Sequence, residues 1–402
     1  MAWESVPFSQ LYAADSRNGL TKPSKVRGSG FKMINMGELF ANDRIYDIPM
    51  ELVPLTESEK KNCQVLQGDL LFARQSLVLE GAGKCSVVMD VSPMTVFESH
   101  LIRVRLNQKI ANPLFYYYFF RSPLSPVKTI VSQCAQAGIR GSDLQDLAVV
   151  FPPLDVQTRI ADILSAYDSL IETNQRQIRL LEEAAQRLYK EWFVDLRFPG
   201  HKDVPVVDGV PEGWTKDRLG NYMDVKRGGS PRPIQNFLSD HGYKWLKISD
   251  VTAHDGFYIL DVEEHIIESG LSKTVYLKKG EMVLSNSATP GIPRILDVDS
   301  CIHDGWLYFP KSMFTNEYML LMFREERKNI VSIGTGAIFT NLKTDIVRNF
   351  IHLIPPQTIL NEFQKAISPL FKEMLCKQRM NKQMFEARDR LLPKLMSGEI
   401  AS

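Results

Sequence analysis

Residues 151–200 read FPPLDVQTRIADILSAYDSLIETNQRQIRLLEEAAQRLYKEWFVDLRFPG, and this stretch decides the fold. After two prolines, apolar positions recur at alternating spacings of four and three residues. This heptad pattern is typical of a long helix that packs against another helix, here about 50 Å long at about 1.5 Å per residue. The predicted seam comprises Ile160, Leu164, Tyr167, Ile171, Asn174, Ile178, Leu181, Ala185, Leu188 and Trp192.

A second long helix follows from a second Pro-Pro segment. LIPPQTIL at residues 353–360 matches VFPPLDVQ at residues 150–157 with an offset of 203. The same offset predicts a second, more polar seam on Phe363, Ile367, Leu370, Met374, Lys377, Met384, Leu391 and Leu395. A helix with a narrow apolar stripe needs a partner helix, and the second helix must run back to meet the first. We therefore predict an antiparallel coiled coil.

Two details of this helix pair stay open in the sequence. Residues 155–192 carry a net charge of −2 and residues 358–397 one of +4, which favours pairing only weakly. The alternative is that each helix packs on its own globular segment. Asn174 and Lys377 occupy equivalent seam positions, so they either meet in a polar layer that sets the register or Lys377 extends to water.

The chain repeats itself outside the helices. GFKMIN (residues 30–35) matches GYKWLK (242–247), and QGDLLFAR (67–74) matches KGEMVLS (279–285), both at an offset of 212. Other matches follow in the same order in both halves: Trp3 with Trp214, Lys84 with Arg294, and the Gly-to-Leu spacings Gly138–Leu144 and Gly336–Leu342. This order indicates a duplicated unit of roughly 200 residues rather than a solenoid of short repeats.

The repeat predicts an α+β protein with two similar mixed α/β globular domains, joined by two long helices in a pseudo-two-fold internal repeat. Short β-rich runs alternate with a helix that begins after Asn112-Pro113 in the first copy and near Asn316 in the second. The FYYYFF run there is interpreted as a buried helix face, not a base-stacking platform. The predicted segments are residues 1–150 (first domain), 151–196 (first helix), 197–211 (linker), 212–354 (second domain) and 355–402 (second helix).

Composition narrows the class of protein. The 402 residues include 48 Lys and Arg against 47 Asp and Glu, which excludes a globally basic nucleic-acid coat. Five scattered cysteines, Cys134 among them, form no CxxC motif, so we expect free thiols and a cytoplasmic protein. MAWESVPFSQ at the start has no signal-peptide pattern, and no apolar run is long enough to cross a membrane.

Motifs of catalysis are incomplete. The sequence around Asn112-Pro113-Leu114-Phe115 lacks the second proline of an amino-methyltransferase motif. Residues 81–85, GAGKC, lack the first glycine and the Ser or Thr of a phosphate-binding loop. The seven histidines show no metal-ligand spacing. We therefore expect a non-enzyme without cofactor or metal on this chain.

Two basic, glycine-containing stretches are candidate phosphate contacts. The second is KRGGSPR at residues 226–232, and it offers Lys226, Arg227 and Arg232. Such loops bring backbone N–H groups and cations close to phosphates, although a solvated surface loop remains the alternative. The first stretch has no Asp or Glu between its outer cations, and its candidates are Arg17, Lys22, Lys25, Arg27 and Lys32.

Different polar residues follow the matching GDLLFA and GEMVL strands. Arg74-Gln75 stands in the first copy and Asn286 in the second, and such side chains read base edges through paired hydrogen bonds. Lys84 and Arg294 are further candidates at matching places. A shared scaffold with different readers would recognise different half-sites, whereas unrelated loop variation is the alternative.

These segments resemble the specificity subunit of Type I restriction–modification systems. The likeness rests on residues 151–200, on IPPQ with RDRLLPKLMSGEI near the end, and on PEGWTKDRLG and GDLLFAR. It implies two target recognition domains that each read one half of a split, asymmetric site in double-stranded DNA. It also implies two docked methyltransferase subunits that bring S-adenosylmethionine, with motor-nuclease subunits as further partners.

Two other classes of function remain open at this point. One is a methyltransferase or nuclease fused to its own reader, which requires a cofactor loop or an acidic nuclease cluster that the sequence lacks. The other is a protein scaffold with a coiled-coil docking rod and no DNA specificity. Salt-sensitive duplex binding distinguishes the scaffold from the DNA reader.

Overall fold

The computed structural model describes residues 3–133, 137–252, 256–333 and 341–400, so Cys134 and Gly336 lie outside the described residues. The chain forms two compact units, and each contains parts of both long helices. Unit 1 consists of Met1–Ile171 with Gln383–Ser402, and unit 2 of Glu172–Lys382.

A five-stranded sheet forms the centre of unit 1. Two of its strands, Leu70–Ala73 and Cys85–Val88, are buried on both faces, because every residue in them is buried. In chain order the five strands are β1 (Tyr12–Asn18), β2 (Arg44–Ile45), β3 (Leu70–Ala73), β4 (Cys85–Val88) and β5 (Leu101–Leu106). Their order across the sheet is β1-β5-β3-β4-β2, with only β2 and β4 parallel.

Unit 2 contains the same sheet a second time. Its strands are β6 (Lys226–Arg227), β7 (Tyr258–Ile259), β8 (Met282–Ser285), β9 (Pro293–Leu296) and β10 (Trp306–Tyr308). They lie in the order β6-β10-β8-β9-β7, and again only the last pair, β7 with β9, is parallel. The order and directions match those of unit 1 strand for strand, so the predicted internal repeat and the α+β class are confirmed.

Smaller sheets repeat as well. Phe31–Ile34 pairs antiparallel with Glu51–Val53 and parallel with Thr95–Phe97. Its counterpart Tyr243–Leu246 pairs antiparallel with His265–Ile266 and parallel with Ser300–Ile302. Further paired strands are Ser5–Pro7 with Ala148–Val150, Thr215–Arg218 with Ile351–Ile354, Leu238–Ser239 with His265–Ile266, and Val275–Leu277 with Ser300–Ile302. In a small three-stranded sheet, Ala137–Gly138 lies between Gln75–Ser76 and Ser132–Gln133 and pairs with both.

One helix in each unit packs against the sheet. Pro113–Arg121 is capped by Asn112, whose Oδ1 accepts hydrogen bonds from the backbone of Leu114 and Phe115. Its FYYYFF run is buried, which confirms the core interpretation. Asn316–Glu325 is the counterpart, with Thr315 as its cap. The other short helices are Met36–Ala41, Glu57–Cys63, Gly141–Gln145, Ile248–Thr252, Arg327–Ile333 and Thr344–Asn349.

The two long helices pack antiparallel within each unit. The first long helix is Leu154–Tyr189, extended by a π turn at Lys190–Val194, and the second is Gln357–Met396. In unit 1 the start of the first helix, at Ile160 and Leu164, shares a core with Leu395 near the end of the second. In unit 2 the end of the first meets the start of the second, and the rings of Trp192 and Phe363 lie 5.4 Å apart.

Every residue of the predicted seam is buried or half-buried. The half-buried members are Tyr167, Leu181, Leu188, Leu370, Lys377, Met384 and Leu391. The buried members are Ile160, Leu164, Ile171, Asn174, Ile178, Ala185, Trp192, Phe363, Ile367, Met374 and Leu395.

The polar layer in the seam differs from the expectation. Asn174 Nδ2 donates a buried hydrogen bond of 2.9 Å to Asn381 Oδ1, not to Lys377. Lys377 forms an ion pair of 2.9 Å with Glu373 on its own helix. The expected meeting assumed a perfectly symmetric register, whereas the actual register brings Asn174 opposite a residue four positions further along.

The boundaries of the sequence segments can be placed on this structure. Strand Ala148–Val150 ends the first globular segment, and the long helix begins at Leu154. The expected linker, residues 197–211, contains a small hairpin of Val206–Val207 and Val210–Pro211. Each compact unit takes one end of each long helix, so the units cut across the sequence segments.

Candidate nucleic-acid interface

Three loops meet at one edge of the central sheet in unit 1. Because β5 is antiparallel to both β1 and β3, the ends of β1 and β3 and the start of β5 lie at the same edge. Arg17 lies near the end of β1, Arg74 and Gln75 follow β3, and Ser99 precedes β5. We call this the loop edge of unit 1.

A glycine lets two of these loops approach closely. Leu20 N donates to Phe97 O at 2.8 Å, and Ser99 N donates to Leu20 O at 2.9 Å. A Cβ atom added to Gly19 would lie 2.1 Å from Phe97 O. Only glycine therefore allows the loop after β1 to pass so near the strand before β5.

The loop after β3 is fixed to its neighbours. Arg74 NH1 donates to Ser99 O at 3.4 Å, and Ile139 N donates to Arg74 O at 2.9 Å. Gln75 pairs with Gly138 in a short strand. Both predicted readers are half-buried, so their side chains reach the surface from a rigid base.

Most cations of the first basic stretch are already paired. The nearest oxygen–nitrogen distances are 2.6 to 2.8 Å, in the pairs Lys22–Glu59, Arg27–Glu51 and Lys32–Asp47. The acidic partners come from residues 47–59, so the sequence of the basic stretch alone did not reveal these ion pairs. Arg17 and Lys25 are exposed and have no ion pair within the described residues. Of the five candidates only these two lack an ion pair in the part of the chain that the structure describes, and all five stay predicted phosphate contacts. Arg17 and Lys32 lie in strands rather than in a loop.

Lys84 is also occupied. Its Nζ donates to Phe40 O at 2.8 Å and lies 3.1 Å from Asp43 Oδ1. Arg121 contacts the same carboxylate at 2.6 Å. Burial alone would raise the pKa of Asp43, but the two cations hold it below its ordinary value. Lys84 therefore joins structural elements of unit 1, and its contact with DNA stays a prediction.

Unit 2 has an equivalent loop edge. The ends of β6 and β8 and the start of β10 meet there. Gly228 N donates to Trp306 O at 2.9 Å, and a Cβ atom at Gly228 would lie 2.2 Å from His303 O. The close approach at Gly19 in unit 1 is thus repeated at Gly228.

The strand registers relate the two edges residue by residue. The first residues of β5 and β10 lie opposite the last residues of β3 and β8, in the pairs Leu101–Ala73 and Trp306–Ser285. Ser99 in unit 1 and Asp304 in unit 2 each lie two residues before these strands, so they occupy equivalent positions.

Asp304 organises the second basic stretch. Its carboxylate accepts from Ser230 Oγ at 2.7 Å and from Arg232 NH2 at 3.0 Å. Arg227 Nε donates to the backbone oxygen of Asp304 at 2.5 Å, and its NH2 lies 3.5 Å from the carboxylate. Burial would raise the pKa of Asp304, but Ser230, Arg227 and Arg232 hold it below its ordinary value. Lys226 is exposed and has no ion pair in the described part of the chain.

Two predicted contacts of unit 2 are buried instead. Asn286 is 3% exposed, and its Nδ2 donates to Asp304 O at 3.0 Å. Arg294 is 5% exposed, and its guanidinium donates to the backbone oxygens of Pro293 and Val251. Both side chains are buried and donate to backbone oxygens within unit 2, so they support the fold and neither is a surface contact.

Asp304 is the residue that sequence reasoning missed. It lies in the HDG turn just before β10, where a lone acid gives no motif. The repeat could have revealed it, because it stands at the place of Ser99 and contacts two of the three cations of the second basic stretch. The described residues contain no group of His, Cys, Asp and Glu that could hold a metal ion. Within the same ranges, no helix has the length and apolar character needed to cross a membrane.

These features define the class of the protein as a duplicated α+β module with cationic and polar loops at one edge of each central sheet. Residues 2–183 match the family model of the Type I restriction modification DNA specificity domain. The chain is thus related to Type I restriction enzyme specificity subunits, and the resemblance predicted from its sequence is confirmed.

Individual relatives extend this match along the chain. The Type I restriction enzyme MjaIX specificity subunit of Methanocaldococcus jannaschii is 23% identical over 86% of this chain and 81% of its own length. The Type I restriction enzyme HindI specificity subunit of Haemophilus influenzae is 22% identical over 91% and 94%. The crystal structure of a Type I restriction–modification S subunit from M. genitalium has a TM-score of 0.64 at 12% identity, covering 98% and 96%, which shows a shared fold.

Proposed function

We propose that this chain is the DNA-recognition subunit of a Type I restriction–modification complex. Each unit reads one half of a bipartite, asymmetric site in double-stranded DNA through its loop edge. The observation that carries the proposal is the repeated edge: the scaffold is the same in both units, while the side chains on it differ. A shared scaffold with different readers is what recognition of two different half-sites requires.

The chain acts without chemistry of its own in this proposal. Methyltransferase subunits bring S-adenosylmethionine, dock on the long helices and modify the DNA that this chain selects in the cytoplasm. Motor-nuclease subunits are a further partner. The long helices support the spacing role, because 36 residues of the first helix extend about 54 Å at 1.5 Å per residue.

The test uses the full chain in complex with its methyltransferase subunits. The complex selects from a library of randomised duplexes, and the bound DNA is sequenced. We expect two short conserved blocks separated by a gap of fixed length, with binding that weakens steeply as salt rises.

The competing function, a protein scaffold without DNA specificity, gives a different result. A scaffold would enrich no sequence, and its complex would bind duplexes with the affinity of the methyltransferase subunits alone. A single continuous block would contradict the half-site role of the two units. The loop edge favours the DNA reader, because a docking rod alone has no need of paired cations at two sheet edges.

A further inference from the structure

The same backbone oxygen holds an arginine at both loop edges. In unit 1 Ser99 O accepts from Arg74 NH1 at 3.4 Å. In unit 2 the equivalent Asp304 O accepts from Arg227 Nε at 2.5 Å. The two arginines come from different loops, one after β3 and the other in β6. The scaffold therefore keeps the support for an arginine and changes the loop that delivers it.

In unit 2 the support is stronger and holds a second arginine. The Asp304 carboxylate binds Arg232 NH2 at 3.0 Å, while 78% of the Arg232 side chain remains exposed. A guanidinium carries five N–H donors, so Nε, NH1 and one hydrogen of NH2 stay available on Arg232. The Arg227 side chain is also 53% exposed. Asp304 thus orients both guanidinium groups, while their remaining N–H donors face solvent.

Asp304 itself is held in place by the protein. Its backbone oxygen also accepts from the buried Asn286, and its carboxylate accepts from Ser230 Oγ. These contacts come from the loop after β8 and the loop after β6. The carboxylate is therefore a fixed support, and the arginines lose little side-chain freedom when they bind a ligand.

Arg227 and Arg232 differ from the neighbouring Lys226 in that their charge is partly neutralised by Asp304. A guanidinium that already contacts a carboxylate attracts a phosphate less, and its binding releases fewer counterions. The N–H groups that do not contact Asp304 still form a planar donor fork, and such a fork matches N7 and O6 of guanine in the major groove. Lys226 has no such acid and carries an ammonium, which suits a phosphate.

We propose that the supported arginines are guanine-reading residues. Arg74 recognises a guanine in the half-site of unit 1, and the Arg227–Arg232 pair on Asp304 recognises guanine in the half-site of unit 2. This inference rests on the proposed function, and it adds the base that each unit reads and the residues that orient the reader.

The experiment replaces each arginine by lysine, which keeps the charge and removes the fork. The complex with methyltransferase subunits carries Arg74→Lys, Arg227→Lys or Arg232→Lys and selects from randomised duplexes. We expect each variant to lose roughly 5- to 150-fold discrimination at a guanine position of one half-site only. Arg74→Lys should affect the half-site of unit 1, and the other two should affect that of unit 2.

Lys226→Ala is the matched control beside the arginines. It should weaken binding to all sequences alike and lower the slope of log affinity against log salt by about one. Asp304→Asn tests the support: it should reduce guanine discrimination and steepen the salt dependence, because two unpaired arginines then face the DNA. Thermal unfolding of each complex shows whether the variant has kept its fold.

Three results would overturn the inference. An arginine variant that weakens all sequences equally would show a phosphate contact. Loss of discrimination at a base other than guanine would refute the base assignment. If the unmodified complex selects no paired blocks at all, the proposed function itself fails, and that result is visible before any variant is compared.

Discussion

His352 makes unit 2 sensitive to acid. Its side chain is buried in the strand Ile351–Ile354, and its Nε2 is 3.4 Å from Tyr189 OH on the first long helix. Burial lowers the pKa of His352 from 6.5 to about 4. The unfolded chain takes up a proton near pH 6.5, whereas the folded chain resists it until about pH 4. Stability from this group is therefore complete above pH 6.5 and falls as the pH drops towards 4.

The size of the effect follows from the shift. About 2.5 pH units at 1.36 kcal/mol each give roughly 3 kcal/mol of stability lost across this window. His352→Phe should remove that dependence. Urea unfolding of the chain and the variant between pH 7 and pH 4 measures it, and parallel curves for the two proteins would contradict the assignment.

In unit 1, Arg388 forms an ion pair with the buried Asp168. Its NH1 lies 2.5 Å from Asp168 Oδ1, and Tyr118 OH donates to the other oxygen of Asp168 at 2.7 Å. Removing one member of such a buried pair leaves a charge without its partner and costs roughly 3–5 kcal/mol. Arg388→Ala should therefore strongly destabilise unit 1. Arg390→Ala, on the exposed face of the same helix, is the control and should change the free energy of unfolding by less than about 0.5 kcal/mol.

Contacts between residues that are distant in sequence could not be predicted from the sequence, whereas contacts between near neighbours could. The cap at Asn112 was predictable because capping depends on neighbours two and three positions away. The neutralisation of Lys22, Arg27 and Lys32 was not, because their acids are brought in by another part of the fold. The support of Arg227 by Asp304 likewise depends on the meeting of two loops that are far apart in sequence.

At the scale of elements, the buried Asn174–Asn381 hydrogen bond fixes one register of the helix pair. Asn174→Leu or Asn381→Leu alone should destabilise unit 2 by roughly 1–3 kcal/mol, because each leaves a polar amide against an apolar side chain. The double variant should lose less free energy of unfolding than the two single variants together, and the difference, the coupling energy, should be at least about 0.5 kcal/mol. Chemical unfolding of the original chain and the three variants gives the coupling energy. Strictly additive losses would show that the Asn174–Asn381 contact does not fix the register of the helix pair.

The long helices also allow a test of the spacing role. Seven residues inserted into both helices, between Ile171 and Ile178 and between Met374 and Asn381, lengthen each by about 10 Å and roughly keep the seam in phase. DNA advances about 3.4 Å per base pair, so the gap between half-sites should grow by about three base pairs. The far groove also rotates by roughly 100°, so methylation at the longer gap should be weak. Methylated sites are mapped in cells that carry the variant, and full methylation at the original gap would refute the role.

The elements themselves were largely predictable. Heptad spacing identified both long helices, and the Pro-Pro segments placed their starts close to Leu154 and Gln357. The partner of Asn174 was not predictable, because the register of an antiparallel pair is set by how both helices pack on their units. The burial of Asn286 and Arg294 depends on strand direction at the edge of a sheet, which one sequence does not define.

At the scale of the whole molecule, the chain is expected to depend on partners for chemistry. The purified chain alone should transfer no methyl group from S-adenosylmethionine and cut no DNA, since its sequence lacks a complete cofactor or nuclease motif. Incubation with labelled S-adenosylmethionine and a duplex that contains the selected site measures this. The complex with methyltransferase subunits is the positive control, and one methyl group per isolated chain would contradict the expectation.

The composition of unit 1 has a consequence for synthesis on the ribosome. Unit 2 is one continuous segment, whereas the core of unit 1 includes Leu391, Leu395 and Met396 from the last part of the chain. At roughly 5–20 residues per second, residues 172–382 take on the order of 10 to 40 seconds to emerge. During that interval the apolar stripe at Ile160 and Leu164 has no partner helix. The half of the protein that is translated first is therefore the half that completes its folding last, and it is the half exposed to chaperones and proteases during translation.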